Sequence, residues 1–355
     1  MAYEKGNGKT AVIALGGNAL GNTPQEQLEL VQNTAKHIVD MIQDGTNVVV
    51  SHGNGPQVGM INNAFAYAAA NDDKTPDMPF PEAGAMSQGY IGYQLSQAIL
   101  NDLKSRDIMR STACIVTQTV VDEDDPAFQN PTKPVGAFMD EETAKAKAAE
   151  MGITVKEDAG RGWRQVVASP IPKRIVEFDA VRDLVEDGYI VVSTGGGGVP
   201  VFETGDGYVG TPAVIDKDRS SALMAAELGA DMLVILTAVE KVCVNFNTPE
   251  QQTIDEMDVA QAEEYIKGPV RPRLHAPEGG GLHRVRRGLP RGPRPHHLAR
   301  VRGRRPARRD RHRHHRQLGN DLQAKGRLRD KEPPLFMQEF RLVRVMGGRK
   351  GPLAA

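Results

Sequence analysis

The chain has 355 residues with a formal net charge of -1 and two cysteines, which allows one large α/β domain or two modest ones with a sizeable core. Cys114 and Cys243 lie in apolar runs without metal-ligand spacing, which excludes a disulfide framework, fits a reducing compartment and makes both expected core residues. No segment approaches the roughly 20 apolar residues of a membrane span, and MAYEKGNGKT lacks the apolar run of a signal peptide, so a cytoplasmic protein without a membrane partner is expected.

The first predicted strand is TAVIAL, followed by the glycine turn ALGGNAL. Gln25 to Gln43 then places Leu28, Val31, Ile38 and Ile42 at helical spacing. NVVVSH is a second buried strand and runs into SHGNGPQVG, and ACIVTQTVV reads as a third. From Asp122 to Pro172 the text becomes polar and rich in Pro and Gly, and it contains the single tryptophan, Trp163. So long an insertion in a compact domain is expected to be a lid or small subdomain. Ala180 to Val185 reads as helix, YIVVST as strand, and STGGGGVP as a third glycine turn. VIDKD precedes a helix from Ser220 to Leu228, and MLVILT closes the series as another strand. Val- and Ile-rich strands alternating with amphipathic helices predict a three-layer αβα sandwich with a mostly parallel central sheet.

Glycine after a strand lets backbone approach a ligand, and a helix that starts there adds its positive end. One such turn needs no explanation beyond tight geometry. Three of them, including four consecutive glycines from Gly195 to Gly198, predict an anion site at the strand C-terminal ends. Two familiar fingerprints fail. Gly8-Lys9-Thr10 lacks the glycine five positions earlier, where Tyr3 stands, and its strand follows rather than precedes it. GNGPQVG is one residue too long for the dinucleotide pattern, which leaves an NAD-dependent dehydrogenase as the weaker alternative. Asp216, Lys217 and Asp218 form a charge triplet at a helix start, and Lys133 lies between prolines that stiffen its backbone. Triplets of this kind are commonly solvated and a lone lysine is commonly a surface one, but beside glycine turns both suit a transferring phosphoryl group.

In this order, ALGGNAL, SHGNGPQVG, QGYIGYQL, NPTKPVG, KEDAGRGWR, VVSTGGGGVP, VIDKD and LVILTAVEKVCVN closely resemble the carbamate kinases of the amino acid kinase superfamily, over about residues 9 to 267. The resemblance implies reversible phosphoryl transfer between carbamate plus ATP and carbamoyl phosphate plus ADP. It further implies Mg²⁺, a cytoplasmic homodimer and a place in the arginine deiminase route of arginine breakdown. By the same resemblance Gly16, Gly17, Asn18, Gly53, Asn54 and Gly55 hold carbamate and the moving phosphoryl group, joined by Gly195 and Gly196 of the third glycine turn. Asp218 is the organising acid and Lys217 neutralises charge. Asp216, Thr237 and Val242 are assigned to the nucleotide side, and no side chain is assigned to a metal. Related kinases carry a lysine just before Gly-Gly in the first strand. Here Ala14 and Leu15 stand there, and Lys133 from the lid is expected to replace it. Carbamate attacks through an oxygen that is already anionic, so donors and cations suffice and no general base is required. His52 is expected only to shape a turn.

The resemblance stops abruptly. Residues 1 to 268 carry 20 Lys+Arg against 39 Asp+Glu, whereas residues 269 to 355 carry 24 against 6, including 21 Arg, and hold seven of the nine His. PVRPRLHAPEGGG, from Pro269 to Gly281, can be encoded by DNA that one base later reads Gln-Phe-Ala-Pro-Gly-Ser-Met-Leu-Pro-Lys-Val-Glu-Ala, the family's continuation. RRDRHRHHRQ, from Arg308 to Gln317, is likewise compatible with the family's Gly-Thr-x-Ile-Val ending. The expectation is a kinase-type domain over 1–267 and a frameshifted, disordered tail over 268–355 that lacks the family's nucleotide-site lysine, leaving this chain unstable and with little or no activity. A basic arm binding nucleic acid through phosphates is the rival reading of the tail. It lacks aromatic interleaving and leaves the shifted match unexplained, so no nucleic-acid partner is expected.

Overall fold

The computed structural model describes residues 8–16, 23–158, 160, 162–236, 242–244, 249–254, 256–258, 260–262 and 265. In chain order these form β1 (Thr10–Leu15), α1 (Pro24–Gln43), β2 (Asn47–His52), α2 (Gly55–Asn71), α3 (Phe80–Ser105), β3 (Thr112–Cys114) and β4 (Gln118–Val120). The insertion supplies β5 (Lys133–Met139), α4 (Glu141–Met151), β6 (Val155–Glu157) and β7 (Trp163–Val167). Then come β8 (Arg174–Ile175), α5 (Phe178–Glu186), β9 (Ile190–Val192), β10 (Val199–Thr204), β11 (Gly207–Gly210), α6 (Lys217–Leu228), β12 (Met232–Leu236), β13 (Val242–Val244) and β14 (Gln252–Ile254).

The central sheet has the order β12-β1-β2-β9-β3, and every neighbouring pair is parallel. Successive side chains of a strand face opposite sides, and the core divides accordingly. Ile13, Leu15, Val48, Val50, Ile190, Val192, Val234 and Leu236 pack on Val31, Ile38 and Ile42 of α1 and Ile91, Leu95 and Ile99 of α3. The intervening Val12, Val49 and Val191 face Val181 and Val185 of α5 and Met224 and Ala225 of α6. Helices therefore cover both faces of a mostly parallel sheet. Each fully buried Val, Leu or Ile side chain contributes about 2 kcal/mol. Helix α1 starts at a capping box. The Thr23 hydroxyl accepts from Glu26 N–H at 3.3 Å, the Glu26 carboxylate accepts from Thr23 N–H at 3.2 Å, and Pro24 occupies the first turn.

The run ACIVTQTVV is not one strand. β3 pairs with β9 at the edge of the central sheet, whereas β4 belongs to a second sheet of order β11-β10-β4-β8. The break has a cause at Thr117. Its N–H donates to Gln88 Oε1 at 2.9 Å and its carbonyl accepts from Gln88 Nε2 at 3.1 Å, which diverts part of Thr117's backbone hydrogen bonding to a side chain. Cys114, expected in the core, is exposed because β3 is an edge strand.

Within the polar insertion, β5, β7 and β6 form an antiparallel three-stranded sheet, with α4 packed on β6 and β7 and β5 packed on α2. The second sheet, the split of the third strand and the long α2 and α3 add to the architecture expected from periodicity.

Candidate functional site

The C-terminal ends of β1, β2 and β9 lie side by side, because β2 pairs with both of the others. Gly16 N–H donates to Leu236 O at 2.8 Å and Gly53 N–H to Leu15 O at 2.9 Å. These two amides continue the sheet's hydrogen-bond ladder.

Close packing explains the four glycines after β9. A Cβ on Gly195 would stand 2.4 Å from His52 Nε2, and one on Gly196 would stand 2.2 Å from Asn54 Nδ2. At Gly197 it would meet Ile215 O at 2.4 Å, and at Gly198 the Thr119 hydroxyl oxygen at 2.1 Å. Gly196, Gly197 and Gly198 also have φ of +63°, +92° and +88°, which L side chains rarely adopt. The turn is tied from several elements. The Gly197 carbonyl accepts from Ser220 Oγ at 2.7 Å and Thr119 Oγ1 at 3.0 Å. Thr194 N–H, at a residue with φ of +50°, donates to Thr117 Oγ1 at 2.7 Å. Asn54 donates from Nδ2 to Ser87 Oγ at 2.8 Å. A cleft lies against this floor, lined by Asn54, Gln88, Gly195, Gly196, Phe80 and Pro81 among others.

The charged groups converge from two directions. Asp216 caps α6, its Oδ1 accepting from Asp218 N–H at 2.9 Å. Its Oδ2 takes Lys133 Nζ at 3.2 Å, so the lysine of the polar insertion reaches the helix start across the fold. Lys217 Nζ lies 2.7 Å from Asp218 Oδ1. Asp218 is 2 % exposed. Burial raises its pKa above the ordinary carboxylate range, opposed by the charges of Lys217 and Lys133. Ser51 of β2 and Ser221 of α6 share a hydroxyl hydrogen bond of 2.7 Å, which pins the helix to the sheet beneath the charges. His52 is buried, and burial pushes its pKa down to about 4 against a 2.9 Å contact between Nδ1 and its own loop's Gly53 carbonyl. A neutral, internally engaged imidazole fits the turn-shaping role.

The structure thus brings Asn54, Gly195 and Gly196 together, and it pairs Lys133 with Asp216 and Lys217 with Asp218. Gly16 and Gly53 are linked to one another through Leu15, and Gly55 begins α2. Gly17, Asn18 and Thr237 lie outside the described residues. Val242 begins the β13–β14 hairpin, paired with Ile254. Sequence reasoning did not assign Gln88, Thr117, Thr119, Ser87 or Ser220, which fix the floor. For Gln88 a signal existed, since it opens the QGYIGYQL motif.

A parallel α/β sandwich with glycine loops and paired lysines and aspartates at its strand ends defines a class of phosphoryl-transferring enzymes, and residues 9–276 match the Amino acid kinase family. The chain belongs to that family, and within it to the carbamate kinases. It is 49% identical over 271 residues to the carbamate kinase of Staphylococcus haemolyticus, covering 75% of this chain and 87% of that protein. Carbamate kinase 3 of Staphylococcus aureus is 48% identical with the same coverage. The structure of carbamate kinase from Giardia lamblia bound to AMP-PNP superimposes with a TM-score of 0.65 at 42% identity, covering 72% of this chain and 82% of that one. The kinase relatives give no support to a dehydrogenase. Among the described residues no helix is long and apolar enough to cross a membrane.

Proposed function

We propose that this site is built for phosphoryl transfer between ATP plus carbamate and ADP plus carbamoyl phosphate. The observation that carries the reading is the convergence of two lysine–aspartate pairs, one from the insertion and one from α6, on a floor of glycine turns at the ends of parallel strands. Two anionic reactants must be held in line, and the cost lies in their mutual repulsion. Lys133 and Lys217 supply positive charge, Asp216 and Asp218 hold those lysines in place, and the tightly packed floor keeps the geometry fixed. His52 is not needed as a base, since carbamate oxygen carries no proton to remove. The Giardia relative's AMP-PNP supports a nucleotide as the second substrate.

Mg²⁺ fits the donor set in one form. Such ions keep several waters and bind one or two carboxylates together with substrate phosphates, and Asp216 and Asp218 are the carboxylates at hand. When bound, the ion would neutralise phosphate charge. A homodimer in the cytoplasm, serving arginine breakdown through the arginine deiminase route, rests on the family resemblance alone.

The tail completes the proposal. Residues 268–355 are read as the family's C-terminal segment in a shifted frame, with read-through after about Gln317, so the nucleotide-site lysine expected in Gly-Ser-Met-x-Pro-Lys is replaced. The end of the family match at residue 276 supports this. The 355-residue chain is therefore expected to form ATP from ADP and carbamoyl phosphate at background rate. A chain with its frame restored after Gly268 is expected to turn over at least about a hundredfold faster, the scale of losing one electrostatic contact to the transferring group. Normal turnover by the 355-residue chain, or an unbroken frame on resequencing the codons around Lys267 and Gly268, overturns the reading of the tail. An inactive but correctly folded frame-restored chain overturns the reading of the site.

A further inference from the structure

Three of the motifs end on residues to which no role has been given: Gly59 in SHGNGPQVG, Gly136 in NPTKPVG and Arg164 in KEDAGRGWR. They meet in one place. Gly59 is buried on α2, and a Cβ there would stand 2.8 Å from Gly136 Cα and 3.0 Å from Gly136 N. The contact is backbone against backbone, so no flexible side chain can move aside. Gly136 has φ of +73° and sits where the β5–β7 register shifts between Val135 and Met139. Its carbonyl accepts from Arg164 Nε at 3.1 Å. Arg164 is in turn held by Asp158 at 3.1 Å and lies 5.0 Å from the centre of the Phe138 ring.

Helix α2 begins directly after Asn54, so its first turn carries the site floor and its next turn carries this contact. Lys133 lies three residues before Gly136 on the same strand and reaches Asp216 at 3.2 Å. A methyl group needs roughly 3.8 Å from a neighbouring carbon, so a Cβ at Gly59 forces β5 away by about 1 Å. The Lys133–Asp216 bond, at 3.2 Å, is already at the long end of its range and is weakened by that displacement.

We propose that the Gly59–Gly136 contact, locked by Arg164, is a joint that sets the register of Lys133 over Asp216. Gly59, Gly136 and Arg164 are then positioning residues, acting through Lys133 without touching substrate. This rests on the reading of Lys133 as a catalytic lysine, but its test does not depend on turnover.

The test is Gly59→Ala in the full 355-residue chain, read as lysine-by-lysine acylation rates by peptide mass spectrometry. Lys133 is expected to label about tenfold faster, the factor for losing a charge-assisted hydrogen bond. Lys217, held to Asp218 on α6, and Lys145, paired with Glu141 within α4, should label at wild-type rates. The emission of Trp163, the single tryptophan of the chain and a member of β7, should shift with the strand. Arg164→Met, which removes the lock without adding bulk, should move Lys133 in the same direction by a smaller factor, and it carries the test if Gly59→Ala does not fold. An unchanged Lys133 rate in a folded variant overturns the joint. So does a joint rise of Lys133 and Lys145, which means the subdomain has melted rather than shifted. If Lys133→Met leaves phosphoryl transfer intact in the frame-restored chain, the catalytic reading fails while the joint stands.

Discussion

The Gly195–Gly198 turn and strand β5 both depend on glycines with positive φ, yet their surroundings differ. In the turn, the Cβ positions of Gly196, Gly197 and Gly198 are filled by Asn54, Ile215 and Thr119. In β5, the Cβ position of Gly136 opens on empty space, and the strand packs along α2 with a close backbone approach at Gly59. The floor is determined from β2, β4, α3 and α6 at once. The lysine above it is carried by a strand held through the Gly59–Gly136 approach, the Arg164 hydrogen bond and its own ion pair with Asp216. A phosphoryl-transfer site benefits from this division: the floor gains from rigidity, and the element that reaches over the ligand gains from being adjustable.

Gly197→Ala should have the largest effect on stability. The added Cβ meets the Ile215 carbonyl, which is backbone, at a φ of +92°. A loss of about 4 kcal/mol is expected from strain and overlap together, measured by urea unfolding. A loss below that of Gly136→Ala would show that the floor is not the rigid part.

The next effect is pH dependence from His52, also in the floor. Its folded pKa of about 4 lies below the ordinary 6.5, so its contribution is complete above pH 6.5 and is lost as pH falls from 6.5 towards 4, because the unfolded chain takes up the proton first. Glu227 acts oppositely. Burial raises its pKa from 4.5 to about 7, so its contribution is present below pH 4.5 and is lost as pH rises towards 7. In a Glu227→Gln background that opposing slope is removed, and stability is expected to decline as pH falls from 6.5 to 4 through His52, offset in part by the buried Asp218, whose raised pKa acts in the same sense as that of Glu227. A flat profile there would mean that the imidazole charges in place. The smallest effect is expected in β5. Gly136→Ala should cost only about 1 kcal/mol, the strain of a left-handed residue with open space for its methyl, measured by urea unfolding.

Much of this architecture was legible in the sequence because its strands are buried on both faces. TAVIAL, NVVVSH and MLVILT needed no partner to be recognised as β1, β2 and β12. ACIVTQTVV looked the same but divides between two sheets, since at the divide Thr117 N–H donates to the side-chain oxygen of Gln88, 29 residues away. Helix α3 was harder to read. Gly84, Gly89 and Gly92 dilute its apolar stripe, and Gly92 is needed because any Cβ there would run into Cys114 Sγ at 2.1 Å. At the site, residue types revealed the chemistry of Lys133, Asp216, Lys217 and Asp218. Their pairing did not follow from types, because Lys133 meets Asp216 across 83 positions of chain and depends on where the insertion folds back.

The two oxygens of Asp216 face different tasks. One closes the first turn of a helix and the other anchors an ammonium group arriving from a separate subdomain. A single side chain therefore couples local helix stability to the placement of a distant cation, and evolution cannot retune either without disturbing its counterpart. Asparagine at this position would keep the helix start and lose the anchor, which makes this carboxylate the natural place to uncouple the two.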